Sequence, residues 1–97
     1  NVYLSPEEKK SALVLQSALQ TGLSLIRDGN RRRISIEESM KAILAGCPEF
    51  EIQYCNAALG DTLEMPDEFS ETDQIVLLIA GLLGKTRLID NMTWSSK

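Results

Sequence analysis

The chain has 97 residues, 43% hydrophobic and 25% charged, with a net charge of -4. That length suits one domain with one core, and the composition lies well away from disordered chains. The negative balance argues against a broad footprint for nucleic acid or anionic lipid, and the absence of histidine removes the usual imidazole acid/base, the histidine-bearing catalytic triads and the commonest zinc ligand.

Ser5-Pro6-Glu7-Glu8 reads as a helix start: a serine N-cap, proline at the first helical position, and glutamate at the third to close a capping box. Leu15, Leu19, Leu23 and Ile26, with Ala12 and Ala18, recur at three- and four-residue spacing, so the segment predicts an amphipathic helix from about Pro6 to Asp28. Gly29 is its expected left-handed terminator, and Gly22 inside it is either a weak point or a place of close packing. Arg31-Arg32-Arg33 then reads as a solvated turn between helices. Three clustered guanidiniums can grip phosphate or RNA, but no aromatic residue lies near in sequence for base stacking.

Ser35-Ile36-Glu37-Glu38 repeats the capping-box pattern, and Ile36, Met40, Ile43, Leu44 and Cys47 form a second apolar stripe, which predicts a helix from about Ile36 to Ala45. Glu37 and Glu38 are assigned to capping and to the helix dipole rather than to catalysis. Gly46, through an unusual backbone angle, and Pro48, lacking an amide hydrogen, are expected to stop the helix. Phe50, Ile52 and Tyr54 alternate with Glu51, Gln53 and Cys55, so a strand from about Phe50 to Ala57 with the first set buried is predicted. Leu59 to Leu63 reads as a turn and Pro66 to Glu71 as an acidic, exposed connection. Asp67, Glu68, Glu71 and Asp73 match no calcium-loop spacing and are read as a solvated connector.

Ile75 to Leu83 is continuously apolar, β-rich and interrupted by Gly81, which predicts a buried central strand. Gly84-Lys85 turns it into a last strand from Thr86 to Asp90, the two pairing as a hairpin. Lys85 and Arg87 are either solubilising edge cations or contacts to a nucleotide. Met92 to Lys97 is expected as a flexible tail, leaving residues 1–91 as the domain. Cys47 and Cys55 are expected as reduced, partly buried thiols of a cytoplasmic protein; no segment has the length and apolarity of a membrane span or the pattern of an export signal. The fold class is therefore α+β, two helices packed on a small three-stranded antiparallel sheet.

Asn1-Val2-Tyr3-Leu4-Ser5-Pro6-Glu7-Glu8 near one end and Gly84 to Asn91 near the other, in that order, bracket nearly the whole chain in a pattern that resembles the C-terminal domain of the pantoate-beta-alanine ligases. The resemblance implies a chain beginning just past a Ser-Ser-Arg loop that handles ATP phosphates, with Asn1 closing that signature as a nucleotide-binding residue. It also implies no catalytic residue and no metal ligand within these residues, and an inactive piece when isolated. The intact enzyme it implies is a cytoplasmic homodimer in which this lid-like domain partners an N-terminal nucleotide-binding domain. With ATP and Mg²⁺ it would convert pantoate to a pantoyl adenylate, releasing pyrophosphate, and join beta-alanine to give pantothenate and AMP. Relatives commonly place Asp-Pro before Asp-Thr-Leu-Glu, whereas Leu59-Gly60 precedes Asp61-Thr62-Leu63-Glu64 here, so no role of an acid passes to Leu59. Two other classes compete: a free-standing protein-interaction module using a helix face or sheet edge, and a small RNA-binding domain using Arg31 to Arg33.

Overall fold

The computed structural model describes residues 6–96. Its elements are α1 (Pro6–Arg27), α2 (Arg33–Leu44), β1 (Phe50–Leu59), β2 (Ile75–Leu83) and β3 (Thr86–Trp94). The strands form one antiparallel sheet in the order β1-β2-β3, and both helices pack on the same face of it, α1 over β2 and β3 and α2 over β1. This is the α+β class that the periodicities predict. The Ser5 cap lies outside the described residues.

Helix α1 buries Leu15, Ala18, Leu19 and Ile26, the stripe read from the sequence. It ends in a Schellman motif: Gly29, at φ 105°, donates to the Ile26 carbonyl and Asn30 to the Leu25 carbonyl. Gly22 is a site of close packing. A Cβ there would stand 2.7 Å from Leu77 Cδ1 and 3.0 Å from Met40 Sδ, so its absence lets α1 approach both α2 and the sheet.

Helix α2 begins three residues before the predicted start, and its N-cap is Arg32, with no side-chain cap. The Ser35 capping box is thereby corrected. Asn30 organises the helix entry instead, its Oδ1 accepting the Arg32 N–H at 3.0 Å and its Nδ2 donating to Ser35 Oγ at 2.9 Å. The Arg33 N–H is satisfied by the Asp67 carbonyl. At the other end the helix stops at Leu44, one residue short of the prediction, with Ala45 as a right-handed C-cap. Gly46 is not among the residues with positive φ, so no unusual backbone angle is needed there.

Strand β1 departs from simple alternation. Ile52 pairs with Gly81 and Tyr54 with Ala80, leaving Gln53 as a bulge. One extra residue reverses the side-chain phase. Phe50 is buried, and beyond the bulge Cys55 and Ala57 take the inner face. Ile52 is 38% exposed and Tyr54 moves to the opposite face, which corrects the prediction that Phe50, Ile52 and Tyr54 form one buried set. Phe50 lies across Gly81, its Cε1 2.8 Å from where a Cβ would stand, filling the space that the missing side chain leaves on the inner face.

Strand β2 occupies the residues predicted for it, and the turn at Gly84, φ 61°, returns the chain into β3 as a hairpin. Strand β3 continues to Trp94, four residues past the expected end, because Met92 and Trp94 pack against the core at the period of the strand. The connection before β2 is acidic and largely exposed, yet it is fixed at its middle: Phe69 is buried, its N–H donates to the Arg31 carbonyl, and Arg32 and Glu68 form an antiparallel bridge.

Candidate functional site

The conspicuous chemistry of this chain is the arginine cluster, and the fold consumes most of it. Arg33 extends its Nη1 to Glu37 Oε1 at 3.0 Å and its Nε to the Pro66 carbonyl at 3.0 Å. Arg31 donates to the Ile26 carbonyl at the end of α1, where its positive charge complements the helix terminus, and its guanidinium carbon lies 5.9 Å from the centre of the Trp94 ring. Only Arg32 of the three is exposed. A fully solvated turn is therefore not what these residues build, and the side chains that a phosphate or RNA grip would need are divided between two different structural tasks and solvent.

Glu37 is the central residue of this arrangement. It is 5% exposed, and while Oε1 holds Arg33, Oε2 accepts the Ala57 N–H at 3.0 Å and Asn56 Nδ2 at 3.3 Å. A helix carboxylate thus takes the place of a neighbouring strand at part of β1's edge and ties α2, the sheet and the 66–69 connection into one clasp. The capping role assigned from sequence is corrected. Glu37 and Glu38 lie beyond the first turn of a helix that starts at Arg33, and Glu38 is solvent-exposed. The sequence held a usable signal: Glu37 is three residues before Met40 and seven before Leu44, on the buried face, where an unpaired carboxylate would be prohibitively costly.

The two thiols are free and buried. Cys47 Sγ lies 3.3 Å from the buried Ser11 hydroxyl and 3.4 Å from Glu49 Oε2. Burial pushes the Cys55 thiol up to about 11; Lys41 opposes the shift and Glu37 adds to it. A thiol so placed stays protonated at neutral pH and is a poor nucleophile.

Of the remaining sequence candidates, Asp73 closes a local turn by accepting the Ser70 N–H at 2.8 Å, and Asp67 acts through its backbone carbonyl. Arg87 Nε donates to Gln53 Oε1 at 2.9 Å, reaching from β3 to the bulge in β1 across the face of the sheet away from the helices. Lys85 sits exposed in the hairpin turn, apart from the arginine clasp. Asn1 lies outside the described residues. The surface depressions are shallow, one along α1 and β3 lined by Lys9, Ala12, Leu13, Gln16 and Asp90, another beside α2 lined by Arg32, Ile34 and Ser35 among others. The second also contains Glu38 and Ser39, but Ser39 donates its hydroxyl to the Ser35 carbonyl and Ser35 Oγ accepts from Asn30, so the contacts made by these hydroxyls are those of helix α2 and its entry.

Residues 1–93 match the family model described as pantoate-beta-alanine ligase. The chain belongs to the pantoate-beta-alanine ligase family. It is 38% identical over 94 residues to a pantothenate synthetase of Thermoanaerobacter sp. (strain X514), covering 97% of this chain and 32% of that protein. A pantothenate synthetase of Dehalococcoides mccartyi (strain CBDB1) is 40% identical over 92 residues, covering 95% of this chain and 34% of the relative. The fold superimposes on the crystal structure of the Thermus thermophilus pantothenate synthetase with a TM-score of 0.79 at 30% identity, over 95% of this chain and 32% of that one. The chain thus spans about a third of the length of these ligases and corresponds to their C-terminal part. Among the described residues no helix is long and apolar enough to cross a membrane.

Proposed function

We propose that this chain is the C-terminal, lid-like domain of a cytoplasmic, homodimeric ATP-dependent pantoate-beta-alanine ligase. Its place in the reaction is closure over substrates held by an N-terminal nucleotide-binding domain. The observation that carries the reading is the match of residues 1–93 to this ligase family by a chain that spans about a third of its relatives. A carboxylate and an amine do not condense in water without activation. ATP makes the pantoate carboxylate a good acylating centre by forming a pantoyl adenylate with release of pyrophosphate, and beta-alanine then displaces AMP. A closing domain protects such a mixed anhydride from water between the two steps. Asn1, at the junction with the phosphate-handling loop, is the residue of this chain proposed to contact ATP.

The described residues do not fit a magnesium site. Asp73 is committed to the Ser70 amide, and no group of three or more histidine, cysteine, aspartate or glutamate residues among those described lies close enough to hold a metal. No step is assigned to magnesium here. A free-standing interaction module is the competing class, whereas the arginine cluster gives little support to RNA binding. AMP formation from pantoate, beta-alanine and Mg-ATP should be measured with the full-length enzyme and with residues 1–97. Turnover by the full-length enzyme alone is the expected result; turnover by the 97-residue chain, or by neither, would overturn the proposed division of labour.

A further inference from the structure

The central strand is apolar on both faces, but the helices cover only one. On the inner face Ile75, Leu77 and Ile79 are fully buried under α1 and α2. The alternate residues Val76, Leu78 and Leu82 stand on the outer face and are only partly buried. A strand with one wetted face ordinarily alternates apolar with polar residues, and an uninterrupted aliphatic run is the pattern of a strand covered on both sides. The neighbours extend the outer patch: Tyr54 and Ile89 flank Ala80 in the register, and Ile89 is 56% exposed. Arg87, held by Gln53 on the far strand, crosses the patch at its Leu82 end.

We infer that the outer face of the sheet is the docking surface for the remainder of the same polypeptide, seated on Tyr54, Val76, Leu78, Leu82 and Ile89. The inference rests on the reading of this chain as one domain of a longer ligase. Size selects the occupant. From Val76 to Leu82 across three strands the patch measures roughly 20 Å by 10 Å, well below the approximately 800 Å² per partner of a stable association between separate molecules. A covalently linked partner needs far less contact, because tethering supplies an effective concentration in the millimolar range. The chain spans 32% of the ligase from Thermoanaerobacter, so such a partner is available in relatives of that length. A small, chiefly aliphatic contact also suits a surface that must separate during turnover.

The test uses the full-length enzyme with one added cysteine, either Ile89→Cys on the proposed surface or Leu13→Cys on the exposed side of α1. These positions are 56% and 65% exposed in the domain, so without a docked partner they should react similarly. Alkylation by a maleimide is read at each site by peptide mass spectrometry and normalised to the same protein in urea. Expected is modification at Ile89→Cys at least fivefold slower than at Leu13→Cys; a smaller ratio overturns the inference. Protection that vanishes on dilution to monomer also overturns it, by assigning the face to a second copy. Hydroxyl-radical oxidation of the unsubstituted enzyme gives the same comparison, Tyr54 and Ile89 against Leu13, without risk to folding. Amide formation by the unsubstituted enzyme is measured alongside. Activity without protection sinks the docking surface alone, and protection without activity sinks the ligase reading alone.

Discussion

Removing the Glu37 carboxylate should be the most damaging single change to the clasp. In Glu37→Ala the Ala57 N–H loses its acceptor inside the fold, at a cost of about 1–3 kcal/mol for an unsatisfied buried donor. Arg33 loses its ion-pair partner, but it keeps the Pro66 carbonyl and its side chain is 18% exposed, so this loss falls well short of the approximately 3–5 kcal/mol for breaking a fully buried pair. Together these suggest about 3 kcal/mol, with the weaker Asn56 contact included. Glu37→Gln retains one carbonyl oxygen for the Ala57 N–H and should cost roughly half as much. Ser35→Ala removes only an acceptor for Asn30 and should cost under about 1 kcal/mol.

Urea unfolding followed by far-UV circular dichroism measures all three variants on one scale. The expected order is Glu37→Ala, then Glu37→Gln, then Ser35→Ala. A capping box at Ser35 would instead make Ser35→Ala cost about 1 kcal/mol or more, with Glu38→Ala as its partner and Glu37→Ala no worse than either. Equal midpoint shifts for Ser35→Ala and Glu37→Ala would refute the clasp.

Gly22→Ala should destabilise by about 1–3 kcal/mol even though alanine favours helix, because the new methyl meets Leu77 and Met40; Met40→Ala in the same chain should recover part of the Gly22→Ala loss, as shown by a double-mutant cycle in urea. Gly81→Ala should be worse, since its methyl collides with the Glu51 carbonyl as well as the Phe50 ring, and backbone yields less than a side chain; a smaller midpoint shift than for Gly22→Ala would contradict that packing. Cys55 is raised from 9.0 to about 11, so unfolding releases its proton more readily in alkali: stability is fully present below pH 9 and falls as the pH rises from 9 to 11. Unfolding midpoints across that range should flatten measurably in Cys55→Ala, and an unchanged slope would show that other groups control the alkaline limb.

The fold was legible where one local period ran undisturbed. The Leu15-to-Ile26 stripe, the terminator Gly29 and the whole of β2 stand where spacing and turn chemistry place them. Errors arise where a tertiary contact outweighs a local rule. The start of α2 moves back to Arg33, whose N–H is satisfied by the Asp67 carbonyl 34 positions away in sequence, while the Ser35 hydroxyl that local rules make a cap accepts from Asn30 instead. The Gln53 bulge is invisible to a period-two reading, and it alone decides that Cys55, rather than Tyr54, faces the helices. Strand β3 outlasts its predicted end because Trp94 packs against the core.

Charged residues show the same limit more sharply. Arg31, Arg32 and Arg33 are equivalent to any count of charge, but the fold gives them a helix terminus, solvent and a buried carboxylate in turn. Adjacent residues on extended backbone point in different directions, and Arg31 and Arg32 precede the first helical residue, so no common grip was available to them. What sequence did disclose about function lay in ordered motifs spanning nearly the whole chain rather than in any cluster of reactive groups. The clasp spends its polar side chains on holding helices, sheet and connection together, while Val76, Leu78 and Leu82 of β2 keep an aliphatic outer face that neither helix covers, because the continuous apolar run that buries Ile75, Leu77 and Ile79 places every alternate residue on the other side of the strand.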